Sequence, residues 1–146
     1  MCCRSLLRTL LVAVAVGLAL ASPTAASTAT SASTAGSRLT IPRLGVDVQL
    51  AGSLNAGPYA YYQDSDTLAV AGHRTTYSRP FSRLPSLRRG DEIRVGGVRF
   101  LVRRSAVVRP WETWILGYRG LVLTACHPAG SAAYRYVVFA APAPQV

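Results

Sequence analysis

Three kinds of reactive side chain stand at the ends of apolar runs in this chain: a thiol, an imidazole and a guanidinium. Leu121-Val122-Leu123-Thr124-Ala125-Cys126-His127-Pro128 reads as a buried strand that stops at Cys126, because Pro128 forbids its continuation. Nine residues after the cysteine, Arg135 opens a second run, Arg135-Tyr136-Val137-Val138-Phe139-Ala140. Upstream, Thr67-Leu68-Ala69-Val70-Ala71 leads into Gly72-His73-Arg74. A strand end is where a β scaffold presents chemistry instead of burying it.

Three chemistries are open to these residues. Cys126, His73 and His127 could bind zinc. However, the pattern has no Cys-x-x-Cys pair, and adjacent strand residues such as Cys126 and His127 point apart, so no metal is expected. A papain-type protease needs its cysteine on a helix, with histidine and an amide downstream. Here the histidine precedes the cysteine, and no asparagine follows Cys126. The third is acyl transfer: a Cys126 thiolate attacks a carbonyl, His73 exchanges the proton with the leaving amine, and Arg135 stabilises the oxyanion. Taken one at a time, the bland alternatives stay open: a buried structural cysteine, a solvated turn histidine and a surface arginine.

The elements that must position these residues are short strands. Leu39–Pro42 and Val46–Leu50 flank a turn at Arg43-Leu44-Gly45. Ala51–Asp66 reads as loop with at most one helical turn, and its Tyr59, Tyr61 and Tyr62 either line a groove or pack on a barrel wall. Arg79–Leu84 suits a short helix with Pro80 at its first position. Ile93–Val95 and Val98–Arg103 flank Gly96-Gly97, a two-residue hairpin signal, and Ser105–Val108 reads as a further strand. Arg109–Arg119, with Trp111 and Trp114, is loop. About eight short strands without a long helical period predict an all-β, closed eight-stranded barrel with one or two short helices.

The 146 residues therefore hold one domain and an appendage. Residues 1–21 combine Arg4 and Arg8, the apolar run Leu10–Ala21 and the small-x-small sequence Ala19-Leu20-Ala21, the pattern of a secretory signal peptide or signal anchor. Residues 22–37, rich in Ser, Thr and Ala, read as a flexible linker, and 38–146 as the folded domain. Export to the outer face of the cytoplasmic membrane or the cell envelope follows from the leader. Membrane association through this segment is possible as well. With Cys2 and Cys3 in the leader, Cys126 is the lone thiol of the exported domain and calls for an explanation. All 16 basic residues are arginine against 6 acids, a formal net charge of +10. That charge fits wall polymers or anionic lipid. The arginines are scattered and lack interleaved aromatics, so nucleic acid is not an expected partner.

The order His73, Cys126, Arg135 on three β segments resembles the sortase family, most closely the class E sortases of high-GC Gram-positive bacteria. The segments that carry the resemblance are Leu39-Thr40-Ile41-Pro42-Arg43-Leu44-Gly45-Val46, Ala71-Gly72-His73-Arg74-Thr75-Thr76-Tyr77 and Pro80-Phe81-Ser82-Arg83-Leu84. They continue with Arg89-Gly90-Asp91-Glu92-Ile93 and Leu123-Thr124-Ala125-Cys126-His127-Pro128, so the resemblance runs from Arg38 to Ala140. It implies a sortase-type β-barrel and a cysteine transpeptidase without a cofactor. Such an enzyme cleaves a C-terminal sorting signal of LPXTG or LAXTG type after its threonine. Its partners would be surface proteins bearing that signal, and an amine of a cell-wall peptide precursor or a pilin that resolves the thioacyl intermediate.

By this resemblance Cys126 is the nucleophile, His73 the proton-transferring acid and Arg135 the substrate and oxyanion stabiliser. Family members usually read Thr-Leu-x-Thr-Cys, whereas Val122 and Ala125 replace the two threonines here. Ala125 occupies the place of a hydroxyl beside the nucleophile and is thereby a candidate substrate-contact position. The alternative function is a catalytically lapsed sortase-like domain or a basic wall-binding β domain.

Overall fold

The inner strands of this chain alternate their side chains between two apolar environments and the others between one apolar environment and solvent, and that alternation builds the scaffold. The computed structural model describes residues 34–144. Its strands are β1 (Arg38–Ile41), β2 (Val46–Gln49), β3 (Tyr59–Gln63), β4 (Thr67–Ala71), β5 (Glu92–Val95), β6 (Val98–Val108), β7 (Gly120–His127) and β8 (Tyr134–Pro142). They form one sheet in the order β2-β1-β5-β6-β8-β7-β4-β3. Every neighbouring pair is antiparallel except β4 and β7, which run parallel.

The curled sheet has an inner and an outer apolar face. Leu121, Leu123 and Ala125 of β7 join Val138 and Ala140 of β8, Leu39, Ile41 and Phe81 in the inner core. The alternate residues Val122, Val137 and Phe139 pack with Ala69, Val108 and Ile115 on the outer side. β7 and β8 are thus covered on both faces, which is why both read as continuous apolar runs. Full burial of each such side chain contributes about 1.5–3 kcal/mol.

The structure agrees with the expected all-β class, with eight strands and little helix, but corrects the expected closed barrel. The sheet is open, with β2 and β3 at its edges. These edges meet only at a parallel bridge between Ala51 and Tyr59. Pro58 at the approach to β3 has no N–H to give a ladder, and it supplies a carbonyl to the Ala51 N–H instead (2.7 Å).

Other differences have local causes. β3 forms within the segment expected to be loop. Conversely, Val98–Arg103 and Ser105–Val108 are one strand, interrupted by a register shift between Val102 and Arg104 that leaves Arg103 as a bulge. No α-helix forms at Arg79–Leu84; Arg79 has φ 47°, outside the helical region, and a 3₁₀ turn follows at Leu84–Ser86. Three such 3₁₀ turns, at Pro42–Leu44, Leu84–Ser86 and Trp114–Gly117, are the helices among the described residues. The Gly96-Gly97 hairpin forms as expected, with both glycines at positive φ (56° and 86°) and Val95 paired with Val98.

The expected leader (1–21) and most of the expected linker (22–37) lie outside the described residues. Residues 34–37 belong to the fold: Gly36 N–H donates to the Leu50 carbonyl and Leu50 N–H to the Ser37 carbonyl, each at 2.8 Å. Among the described residues no helix is long and apolar enough to cross a membrane.

Candidate active site

The parallel pairing of β4 with β7 sets Ala71 beside Thr124. One further rung, from Gly72 N–H to the Thr124 carbonyl (3.0 Å), carries the alignment past the end of β4. The ladder ends there; His73 follows on the turn after β4, and Cys126 lies two residues past Thr124 on β7. On the other side of β7, Cys126 is the Cα partner of Arg135 on β8. Thiol and guanidinium thus share one row, and the imidazole stands on the turn that leaves the neighbouring strand β4.

The turn that delivers His73 depends on a close approach. A Cβ placed on Gly72 would lie 2.5 Å from Cδ2 of Phe81, whose ring is fully buried against that backbone. Phe81 in turn donates its N–H to the His73 carbonyl (3.1 Å). His73 is half-buried, its ring 4.8 Å from that of Tyr77 at an interplanar angle of 31°. Tyr77 holds this place from the left-handed region (φ 56°), an unusual conformation for a bulky residue. His73 Nε2 lies 3.3 Å from Asn55 Oδ1. The amide oxygen can only accept, so this contact is a hydrogen bond when Nε2 carries the proton.

Cys126 is a free, half-buried thiol. Strand alternation puts it on the outer face with Val122 and Thr124. Arg135, also half-buried, commits one nitrogen to its own loop: Nη1 donates to the carbonyls of Ala132 (3.0 Å) and Tyr134 (3.1 Å). These bonds fix the guanidinium near the strand end.

A groove of about 370 Å³ opens beside the row. Ala71, Thr124, Val108 and Arg135 line it from the sheet, Leu54, Tyr59 and Tyr61 from the β3 side, and Pro110, Ile115 and Leu116 from the β6–β7 connection. The lining is largely apolar, with Arg135, Arg109 and Glu112 as its charged groups, which suits a peptide whose side chains are apolar and whose carbonyls need a donor. Burial pushes the Tyr61 phenol above its usual pKa of 10, opposed by the Thr124 hydroxyl and the Arg135 charge. It therefore stays a neutral donor at physiological pH.

Ala125 occupies a different place from the one expected of a substrate contact. It is 3% exposed and packs in the inner core, on the face away from Cys126. Thr124 is the β7 residue beside the nucleophile that lines the groove. The period-two alternation of β7 is the signal for this assignment. His127, by the same alternation, faces away from Cys126 and contacts Arg74 and Tyr136. Sequence reasoning singled out neither Asn55 nor Tyr77, since both reach His73 through loop conformation.

The sortase domain family matches residues 39–143 of the sequence. None of the curated proteins matches it. Among solved structures, the chain is similar to sortase C-1 from Actinomyces oris, at 22% identity and a TM-score of 0.69 over 78% of this chain and 75% of that one. It is similar to sortase E1 from Streptomyces coelicolor, solved with a tripeptide in the active site, at 24% identity and a TM-score of 0.64 over 76% and 90%. It is also similar to sortase A from Listeria monocytogenes, at 16% identity and a TM-score of 0.67 over 77% and 89%. At these identities the solved structures establish the fold, while the domain match spans most of the sequence. The chain belongs to the sortase family.

Proposed function

We infer that this chain is an exported cysteine transpeptidase of the class E type, with Cys126, His73 and Arg135 as its reacting set. Membership of the sortase family implies the transpeptidase chemistry. The observation that supports the assignment of residues is the pairing of Cys126 with Arg135, next to the β4 end that leads into His73 and beside an apolar groove lined by Ala71, Thr124 and Arg135. The class rests on the sequence segments around Pro42, His73 and Cys126. Export rests on the residue pattern of 1–21.

In this reading the Cys126 thiolate attacks the carbonyl carbon of the threonine in an LPXTG- or LAXTG-type sorting signal. A C–S bond forms and the carbonyl oxygen takes up the negative charge, which the Arg135 guanidinium stabilises with donors that cannot lose their charge. The threonine–glycine C–N bond then breaks, and protonated His73 gives its proton to the departing amine. A thioester remains on Cys126. An amine of a cell-wall peptide precursor or a pilin attacks it, His73 takes the proton back, and an amide and the Cys126 thiolate result, which restores the starting pair.

The test is intact-mass analysis of the protein incubated with sorting-signal peptides of the two types, with Cys126→Ala in parallel. A mass gain equal to the acyl half of one peptide, absent from Cys126→Ala, is the expected result. No adduct from a folded protein whose Cys126 still alkylates would point to a different signal or a lapsed enzyme. A Cys126 that resists alkylation would remove the nucleophile from the reading.

A further inference from the structure

Past Gly72 the parallel ladder between β4 and β7 ends. Carried on at the same spacing, it would give the Cys126 carbonyl to the N–H of Arg74, as the Thr124 carbonyl goes to that of Gly72. The backbone turns away at His73 to meet Phe81, and the Arg74 side chain fills the vacant position. Its Nη1 donates to the Cys126 carbonyl (3.2 Å) and lies 3.3 Å from Nδ1 of His127.

We propose that Arg74 is a positioning residue that ties the strand end bearing Cys126 to the turn bearing His73, on the side of the sheet opposite the groove. This rests on reading Cys126 and His73 as the reacting pair. Arg74 follows His73 directly, so a bond from its guanidinium to the Cys126 carbonyl fixes the separation of the two residues where the backbone ladder has ended. The tether has its own support. His127 lies against Tyr136 (ring centroids 5.8 Å apart), and the Tyr136 hydroxyl contacts Ser105 Oγ at 3.0 Å, so the contacts run from the turn after β4 through β7 and β8 to β6. Nε of Arg74 is buried without a partner among the described residues. An arginine held there with an unsatisfied donor must return something a smaller residue would not.

The bond to His127 fixes that ring's state. A guanidinium only donates, so His127 must accept at Nδ1 and carry its proton on Nε2.

The tests are made on the whole chain. Nitrogen-15 NMR of the ring nitrogens is simple because the chain has two histidines, and His73→Gln assigns them. Expected at neutral pH is a His127 with bare Nδ1; a protonated Nδ1 overturns the proposal whatever the variants do. Arg74→Met keeps the alkyl stem and removes the donors. It is expected to lower kcat on the order of tenfold to a hundredfold through misplacement of the pair, with KM nearly unchanged. Amide exchange should quicken at residues 125–127 but not at 121–123. Arg74→Lys, which keeps one donor, should recover part of both effects. Wild-type kcat in Arg74→Met overturns the proposal, as does a loss in KM or stability alone that Lys does not relieve. If the wild-type protein turns over no sorting peptide, the enzymatic reading has failed, and His127 and the exchange pattern still decide the tether.

Discussion

Cys126 and Arg135 are Cα partners across the antiparallel pair β7–β8, so their side chains leave the same face of the sheet. Each residue stands near the end of its strand, where the ladder is close to finishing and side chains are half-buried. The cation is thereby held beside the thiol by backbone register, without any direct bond between the two side chains being required.

That relationship makes Arg135 separable from the fold. Arg135→Ala should lower kcat with sorting peptide on the order of a hundredfold to a thousandfold, the usual loss when an oxyanion donor is removed. Its melting temperature should barely move, because the guanidinium bonds only to carbonyls of its own loop. Arg135→Lys should restore little, since a point charge does not reproduce the planar fork. Steady-state kinetics together with a thermal melt checks all three expectations, and a Lys variant with wild-type kcat would contradict the assigned role.

The half-exposed thiol should be chemically accessible in the native protein. Iodoacetamide is expected to label Cys126 without denaturant, as peptide mapping would separate it from Cys2 and Cys3. Prior labelling should abolish thioacyl formation with sorting peptides. Labelling that appears only after unfolding would mean a structural cysteine.

Gly72 should tolerate no side chain. Gly72→Ala forces a methyl against the buried Phe81 ring and is expected to destabilise the domain by about 1–3 kcal/mol, as overpacking does. Activity should fall further than stability accounts for, because the same turn presents His73. Gly52→Ala is the control, having open space around the added carbon. Urea unfolding of both variants measures the difference; equal stabilities would refute the packing argument.

Glu92 gives the fold an acid-sensitive element. Its carboxyl sits below the usual 4.5, chiefly through the hydrogen bond from Arg99 and then that from Arg94, despite an opposing desolvation effect. A carboxyl depressed in the folded state stabilises fully above its unfolded pKa, and that stabilisation is lost as pH falls through the folded value. Wild type should therefore melt above Glu92→Gln at pH 7, and the gap should close as pH drops below the usual carboxylate range. A gap that persists at pH 2 would assign the effect to shape instead of charge.

The places of Cys126, His73 and Arg135 at or just beyond strand ends were legible because strand ends are local in sequence. Pro128 stops β7 just past Cys126, Gly72 ends β4 just before His73, and Arg135 follows a turn of fixed length. The Gly96-Gly97 hairpin is equally local, since positive φ at two adjacent positions depends on those two residues alone. β3 was not legible: Tyr59-Ala60-Tyr61-Tyr62-Gln63 lacks clean alternation, because its pairing with β4 shifts register between Ala60 and Tyr62. The count of eight strands agreed only because the unforeseen β3 was offset by two expected strands joining through the Arg103 bulge into β6.

The amino-acid sequence by itself determined which residues could react, where strands must stop and which class of fold could present them. The tertiary structure alone decided that the sheet stays open, that Thr124 and not Ala125 lines the groove, and that Arg74 reaches the carbonyl of Cys126. The physical reason is range. Strand propensity and strand ends follow from neighbours a few residues apart, whereas face, register and closure depend on partners in distant segments, such as Arg74 and Cys126, 52 residues apart.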